Sequence, residues 1–478
     1  MIAGLAVGAG TIPAGAAVRS LAAADLGASA PSVAVGEMVR IDGFGRGERA
    51  RQEVFVGRRF EVFSPDARIV VVGEQGERLL PVPANVYFAG AFDGVPGSRV
   101  LLSVLEGKDV RGIAVEAAGP SLILPSGQGR APEIRRVDVD LPGRSFRCDQ
   151  SQLGGFERAL LARPETPSVG VAEAPSGVPP THTARVAVDT DFEYYQLFND
   201  EQVATNYTAD LIAYMSILYE DQIDTSMQLS FLRLWTTAAD PWTQTSTICN
   251  LFQFGKHWND AASPPTRTIF HMMSGKNNGG GVAWVGVLCN GPFSVNTSGA
   301  GCTFSNTANY GGDYGYTGTM DGDFSYEDPG VLWDILATSH EIGHNFNSPH
   351  THCYNGVGGN ANPVDACYNG ECPDGCYCGA TSLPGPGALT GGTPGAGNGT
   401  IMSYCHLRSG GYGNITYTFG VGHPFGIAPG RVPTRMANEV ATVAAGNPGC
   451  LSFVPGTSVI FRDGVDQGST ANWSVVVP

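Results

Sequence analysis

Basic residues are few in this 478-residue chain: 28 Lys and Arg stand against 44 Asp and Glu, a formal net charge of −16. A phosphate-binding face needs clustered Lys and Arg, so the balance argues against nucleic acid as a partner. Charge of either sign is sparse at 15%, while 42% of residues are hydrophobic, which excludes a long disordered protein. Beyond the first two dozen residues no apolar run approaches the ~20 residues of a membrane span, so nothing anchors the chain in a bilayer. There is no internal repeat. Cysteine is nearly missing from the first half, where Cys148 stands alone; the other ten fall between Cys249 and Cys450. An even, dense set in a loop-rich region implies disulfides formed outside the cytoplasm, with a connectivity that spacing does not give.

What is present suggests two or three folded units. Residues 1–27 are rich in Ala, Gly, Leu and Val, with AxA-like sites near Ala14–Ala16, as in a signal peptide that lacks its basic start. Residues 28–162 carry short β-branched or aromatic runs, RIVVVG at 68–73, NVYFA at 85–89 and SRVLLSV at 98–104, split by turn signals. They predict an independent β domain. Residues 163–181 (RPETPSVGVAEAPSGVPPT) have linker composition, where a protease reaches the backbone. From residue 184 strands alternate with helices: strands over 184–189, 228–235 and 268–273, helices over 199–223 and 247–259. That alternation predicts a twisted sheet with packed helices. The domain closes near Cys450, and 451–478 is a tail.

One stretch carries chemistry: VLWDILATSHEIGHNFNSPHTH, residues 331–352. Asp328 and Pro329 have the types expected at a helix N-cap and first turn. On that helix His340 and His344 lie one turn apart on one face, and Glu341 sits between them. His350 supplies a third imidazole. Three neutral His ligands with one open position suit catalytic zinc, which lowers the pKa of a coordinated water toward ~7. Glu341 would take the proton of that water as general base and return it to the leaving amine.

His340–His350 resembles the metzincin signature HExxHxxGxxH, with Asn347 where the family has Gly. Asn is the residue after Gly that best tolerates a left-handed backbone, so the change should be small. TIMSY at 400–404 resembles the metzincin Met-turn. The resemblance makes Met402 a packed support beneath the metal. It makes Tyr404, as in astacins and serralysins, a donor to the tetrahedral intermediate. Adamalysins lack a tyrosine there, and a core tyrosine is an equal reading.

Within metzincins residues 182–450 are most similar to the adamalysin (reprolysin) family. Gly281, Val282, Ala283 and Trp284 resemble that family's edge strand, on which an extended substrate adds as a further strand. Residues 88–104 resemble its β-rich propeptide. Adamalysin and matrixin precursors silence the enzyme with a propeptide thiolate on the open zinc position. Cys148, left over from ten cysteines that can pair, suits that role, though its context SFRCD is not the family's usual one and an unpaired thiol with no function is the other reading.

Asp321, Asp323, Glu327 and Asp328 offer oxygen ligands that make calcium a second candidate ion, though a solvated loop explains them as well. The Cys-rich loop after His350 reads as disulfide-clipped rather than as a second metal cluster with His352 and His406. The tail VIFRDGVDQGSTANWSVVVP resembles the tails of some exported bacterial proteins. The expectation is an α/β (α+β) metzincin domain with a twisted mixed sheet of five strands, preceded by a β-rich propeptide that acts as its own inhibitor. The function expected is that of a secreted zinc endopeptidase acting on proteins or peptides, made as a latent precursor. A zinc hydrolase of a non-protein amide and a silent binding protein on the same fold are the alternatives.

Overall fold

A computed structural model describes residues 18–47, 51–106, 109–127, 130–138, 146–149, 153, 180–373 and 375–453. The AxA-like sites, nearly all of the linker and the tail beyond 453 lie outside them.

The N-terminal region is a β-barrel. It begins with β1 (Val18–Ala22) and a short helix α1 (Leu26–Ser29), then β2 (Met38–Arg46) and β3 (Arg51–Phe60). The chain leaves the barrel for the hairpin β4 (Phe63–Gly73) and β5 (Gly76–Leu80). It returns through β6 (Val86–Phe92), β7 (Arg99–Leu105), β8 (Asp109–Glu116), β9 (Gly119–Leu124) and β10 (Glu133–Arg136). Because β2 pairs with both β3 and β10, the order β2-β10-β9-β8-β7-β6-β3 closes on itself. Val39, Phe55, Phe88, Leu102 and Ile123 fill its interior. The boundary expected at residue 27 falls inside folded structure: β1 pairs with β2 and Leu26 is fully buried, so apolar residues assigned to the leader pack on the barrel.

The second region holds the five-stranded sheet. A two-residue strand, β11 (Arg147–Cys148), precedes it, followed by β12 (His182–Thr190), α2 (Phe192–Gln196), α3 (Glu201–Ile223) and β13 (Thr225–Trp235). Then come α4 (Thr247–Asn259), β14 (Ile269–Met273) and β15 (Gly280–Ala283). A hairpin of β16 (Phe293–Asn296) and β17 (Thr307–Gly311) leads to β18 (Tyr314–Thr317). The five are ordered β15-β18-β14-β12-β13, parallel except for β15. Below them lie helix α5 (Gly330–Asn345) and a loop-rich part with the C-terminal helix α6 (Arg431–Gly446).

Local chemistry explains the ends of these helices. Asp200 caps α3 by accepting the Val203 N–H at 2.9 Å, and Ser246 caps α4. Helix α5 departs from expectation. It starts at Gly330, so the N-cap position falls on Pro329 rather than on Asp328. The Val331 N–H instead donates to the Asp323 carbonyl at 2.8 Å, while the Asp328 N–H is taken up locally by Ser325 Oγ at 3.1 Å.

The expected independence of the β domain is corrected by the sheet itself. β4 pairs in parallel with β13, so the hairpin β4–β5 extends the five-stranded sheet at one edge, and β11 extends it at the other. Apolar residues on the outer faces of β6, β7, β8 and β9 (Tyr87, Leu101, Ile113, Leu122) belong to one core with Leu211, Leu218, Leu332 and Met402.

Ten cysteines form five disulfides: 249–302, 289–450, 353–376, 367–405 and 372–378. Cys148 stands outside them, buried. No helix among the described residues is long and apolar enough to cross a membrane.

Candidate metal centre

Helix α5 presents His340, Glu341 and His344, all fully buried. After Phe346 the chain must turn back, and Asn347 makes the turn with φ of +74°. Its side chain is anchored as well: Nδ2 donates to Glu439 at 3.0 Å and Oδ1 accepts from Arg435 at 2.9 Å, both on α6. The turn delivers His350 to the two histidines, with ring centroids 5.2 Å from His340 and 4.8 Å from His344.

Each imidazole is oriented through Nδ1. His340 donates to the Ile401 carbonyl at 2.8 Å and His344 to the Ser348 carbonyl at 2.6 Å. His350 Nδ1 is 3.0 Å from the Glu371 carboxylate. A carbonyl only accepts, so His340 and His344 carry their proton on Nδ1 and aim a bare Nε2 at the common centre. Nε2 of His340, Nε2 of His350 and Oε1 of Glu341 are buried without a hydrogen-bond partner. Buried lone pairs of this kind are costly unless something occupies the point they converge on. Burial, with the neighbouring imidazoles adding to it, pushes the His340 and His344 pKa values well below the usual range, keeping both neutral as metal ligands require. Burial pushes the Glu341 carboxyl well above the usual range, against the pull of its hydrogen bond from Cys148.

The fourth donor is Cys148. Its Sγ lies 3.6 Å from His344 Nε2 and 3.4 Å from Glu341 Oε2. The ligand atoms of Cys148, His340, His344 and His350 all lie within 4.8 Å of one another. In a tetrahedron with ordinary Zn–N and Zn–S bonds the two ligand atoms are about 3.6 Å apart. This donor set fits zinc.

Residues 146–149 are held over the centre from several sides. β11 pairs with β15 in parallel, Arg147 opposite Gly280 and Cys148 opposite Gly281. The Arg147 N–H donates to the Gly279 carbonyl and the Asp149 N–H to the Gly281 carbonyl, both at 3.0 Å. The Tyr404 hydroxyl donates to the Cys148 carbonyl at 2.8 Å and accepts the Cys148 N–H at 3.0 Å. His406 donates to the Phe146 carbonyl at 2.9 Å, and the Phe146 N–H donates to Tyr412 Oη at 3.0 Å. The Phe146 ring sits 4.9 Å from His340 and 6.3 Å from Trp333.

Met402 is fully buried beneath α5, and a Cβ on Gly343 would meet its sulfur at 2.6 Å. A glycine at 343 is therefore what lets the methionine approach. Gly281 plays a similar part on the edge strand, where a Cβ would meet Glu341 Oε1 at 2.5 Å. Gly281, Val282 and Ala283 lie in β15, but the strand ends there. Trp284 lies one residue past the strand, its N–H still donating to the Tyr314 carbonyl at 3.3 Å and its ring fully buried, 5.0 Å from Phe293.

Sequence reasoning missed Glu371, Phe146 and the roles of His406 and Tyr412. Asp321, Asp323, Glu327 and Asp328 do not converge into a group of three among the described residues. Asp321 and Gly322 instead donate their N–H groups to the buried Asp334. His352 turns to Glu371 at 3.1 Å and His406 to Phe146, so they share no second cluster.

A model of metallo-peptidase family M12, of the reprolysin type, matches residues 180–417. The chain carries an M12 metallo-peptidase domain. It is thus a peptidase by family, with the HExxH helix inside the matched residues. No curated protein sequence matches the chain. Among solved structures, metalloproteinase-II from Bacteroides fragilis is 8% identical over 70% of this chain and 88% of that one, with a TM-score of 0.32. A chaperone–substrate complex is 12% identical over 38% of this chain and 26% of that one, with a TM-score of 0.24. Neither likeness bears on what the M12 domain of this chain does.

Proposed function

We propose that this protein is a secreted zinc endopeptidase held latent by its own Cys148. The observation that carries the reading is the convergence of three imidazole nitrogens and one thiol on a single point, with a carboxylate beside them. The five disulfides fit export to an oxidising compartment.

His340, His344 and His350 would hold zinc, a Lewis acid that polarises a peptide carbonyl and makes water a nucleophile near neutral pH. Glu341 is placed to take the proton of the attacking water and carry it to the leaving amine nitrogen. Tyr404, whose hydroxyl now spans the N–H and C=O of Cys148, has a donor ready for the oxygen of a substrate amide in the same place. An extended substrate would add to the β15 edge that β11 occupies in the latent chain.

Latency follows from the same contacts. The Cys148 thiol would take the place of water on a metal held by the three histidines, and residues 146–149 cover the strand edge. Freed of that segment, the chain is expected to hydrolyse unfolded casein, to stop when a chelator removes the metal, and to recover with zinc. A zinc-loaded, segment-free chain that leaves casein intact overturns the proposal.

A further inference from the structure

We infer that the N-terminal barrel is a permanent half of the working protein, docked on the surface formed by β13 and α3 and retained after the chain is cut. The inference concerns the barrel and stands apart from the peptidase reading. Activation then means displacing residues 146–149, and the barrel stays.

Three independent observations carry it. The first is backbone pairing. β4 lies beside β13 in parallel, with the Leu229 N–H donating to the Val62 carbonyl at 2.7 Å and the Thr236 N–H to the Val72 carbonyl at 2.9 Å. Without the hairpin, β13 would become an open edge bearing Leu229, Phe231, Leu232 and Leu234, all buried in the whole chain. Such an edge pairs with whatever strand it meets.

The second is double-sided burial. In β7, Val100 and Leu102 point into the barrel while Leu101 joins the core of the M12 domain, and all three are fully buried. β9 repeats this with Ile123 inward and Leu122 outward. A removable cap would show a polar outer face on these strands. Here that face is apolar, and parting the halves would expose it.

The third is charge. Helix α3 turns three carboxylates toward the barrel. Asp210, fully buried, accepts from Arg111 Nε at 2.5 Å and from Ser103 Oγ at 2.7 Å. Glu220 pairs with Arg58 and Asp221 with Arg99, whose Nη1 also donates to the Tyr417 carbonyl at 3.0 Å. Every cation comes from the barrel. Parting the halves would leave Asp210 uncompensated in an apolar face and strip the partly buried Glu220 and Asp221 of their partners.

The test uses the full chain carrying Glu341→Ala, to prevent self-digestion. Recognition sites for a specific protease are inserted between residues 138 and 146 and between residues 149 and 180. Cutting both excises the Cys148 segment, so only the barrel's own contacts join the halves. The two fragments are expected to co-elute on size exclusion and to separate only in denaturant. The Leu229 and Thr236 amides are expected to keep the hydrogen-exchange protection of the uncut chain. Separate elution in native buffer overturns the inference. So does co-elution with protection lost at those two amides, because the sheet would then have come apart. Neither readout depends on peptide cleavage.

Discussion

The sulfur of Cys148 lies 3.6 Å from Nε2 of His344, although 196 residues separate them in the chain. That distance matches two ligands of one tetrahedral zinc, and on the proposed reading this one sulfur would silence the site. Cys148→Ala should therefore raise casein hydrolysis by the uncut chain at least about tenfold, equivalent to about 1.4 kcal/mol of lost occlusion. The backbone clamp from Tyr404 and β15 remains, so activation should be partial. A cobalt-loaded wild type should show thiolate-to-metal charge transfer that the variant lacks. Equal spectra for the two would remove Cys148 from the metal.

Glu371 is the partner of His350 that no motif announces. It fixes the third ligand as the Ile401 and Ser348 carbonyls fix the other two. Glu371→Gln keeps the size and removes the charge, and it should weaken zinc affinity by about 10–100-fold. Competition with a chromophoric chelator reads this without any turnover. Unchanged affinity would make Glu371 a loop residue only.

Asn347 stands where the family signature has glycine, and its contacts to Arg435 and Glu439 say why it is tolerated. Asn347→Gly keeps the left-handed turn and loses the clamp on α6, for a destabilisation of about 1 kcal/mol. Asn347→Ala loses the clamp and adds about 1 kcal/mol of backbone strain at positive φ. Urea midpoints should rank wild type above Gly and Gly above Ala. A Gly variant as stable as wild type would show the clamp to be idle.

His271 is fully buried, 2.8 Å from Thr317 Oγ1, and burial lowers its pKa from 6.5 to about 3. The folded chain binds that proton less readily than the unfolded one. Its contribution to stability is thus present above pH 6.5 and is lost as pH falls toward about 3. Within that window the loss is about 1.4 kcal/mol per pH unit. His271→Gln should flatten the acid limb of a stability–pH curve relative to wild type. Parallel curves would mean that His271 takes up its proton without unfolding the sheet.

Much of this was legible in the sequence, for reasons that differ by residue. His340, Glu341 and His344 could be placed because helical periodicity fixes their faces, and the helix expected over 247–259 is α4. The attachment of the barrel was written in SRVLLSV, where apolar residues occur on both faces of one strand. Such a run marks burial on both sides, but it does not say what covers the second one. Glu371 was out of reach because its approach to His350 depends on bridges 353–376 and 372–378, whose pairing spacing cannot supply. The end of β15 at Ala283 was not legible, because the apolar run continues into Trp284, whose ring is fully buried.

On the proposed reading, Glu341 works with a zinc ion held by His340, His344 and His350 to cleave peptide bonds. The most direct measurement compares casein hydrolysis by wild type and Glu341→Ala, both freed of residues 146–149, with zinc content determined on each. The expected result is cleavage by the wild type and none above background by the variant, at equal zinc. Equal cleavage by both, or an inert wild type that holds its zinc, would contradict it.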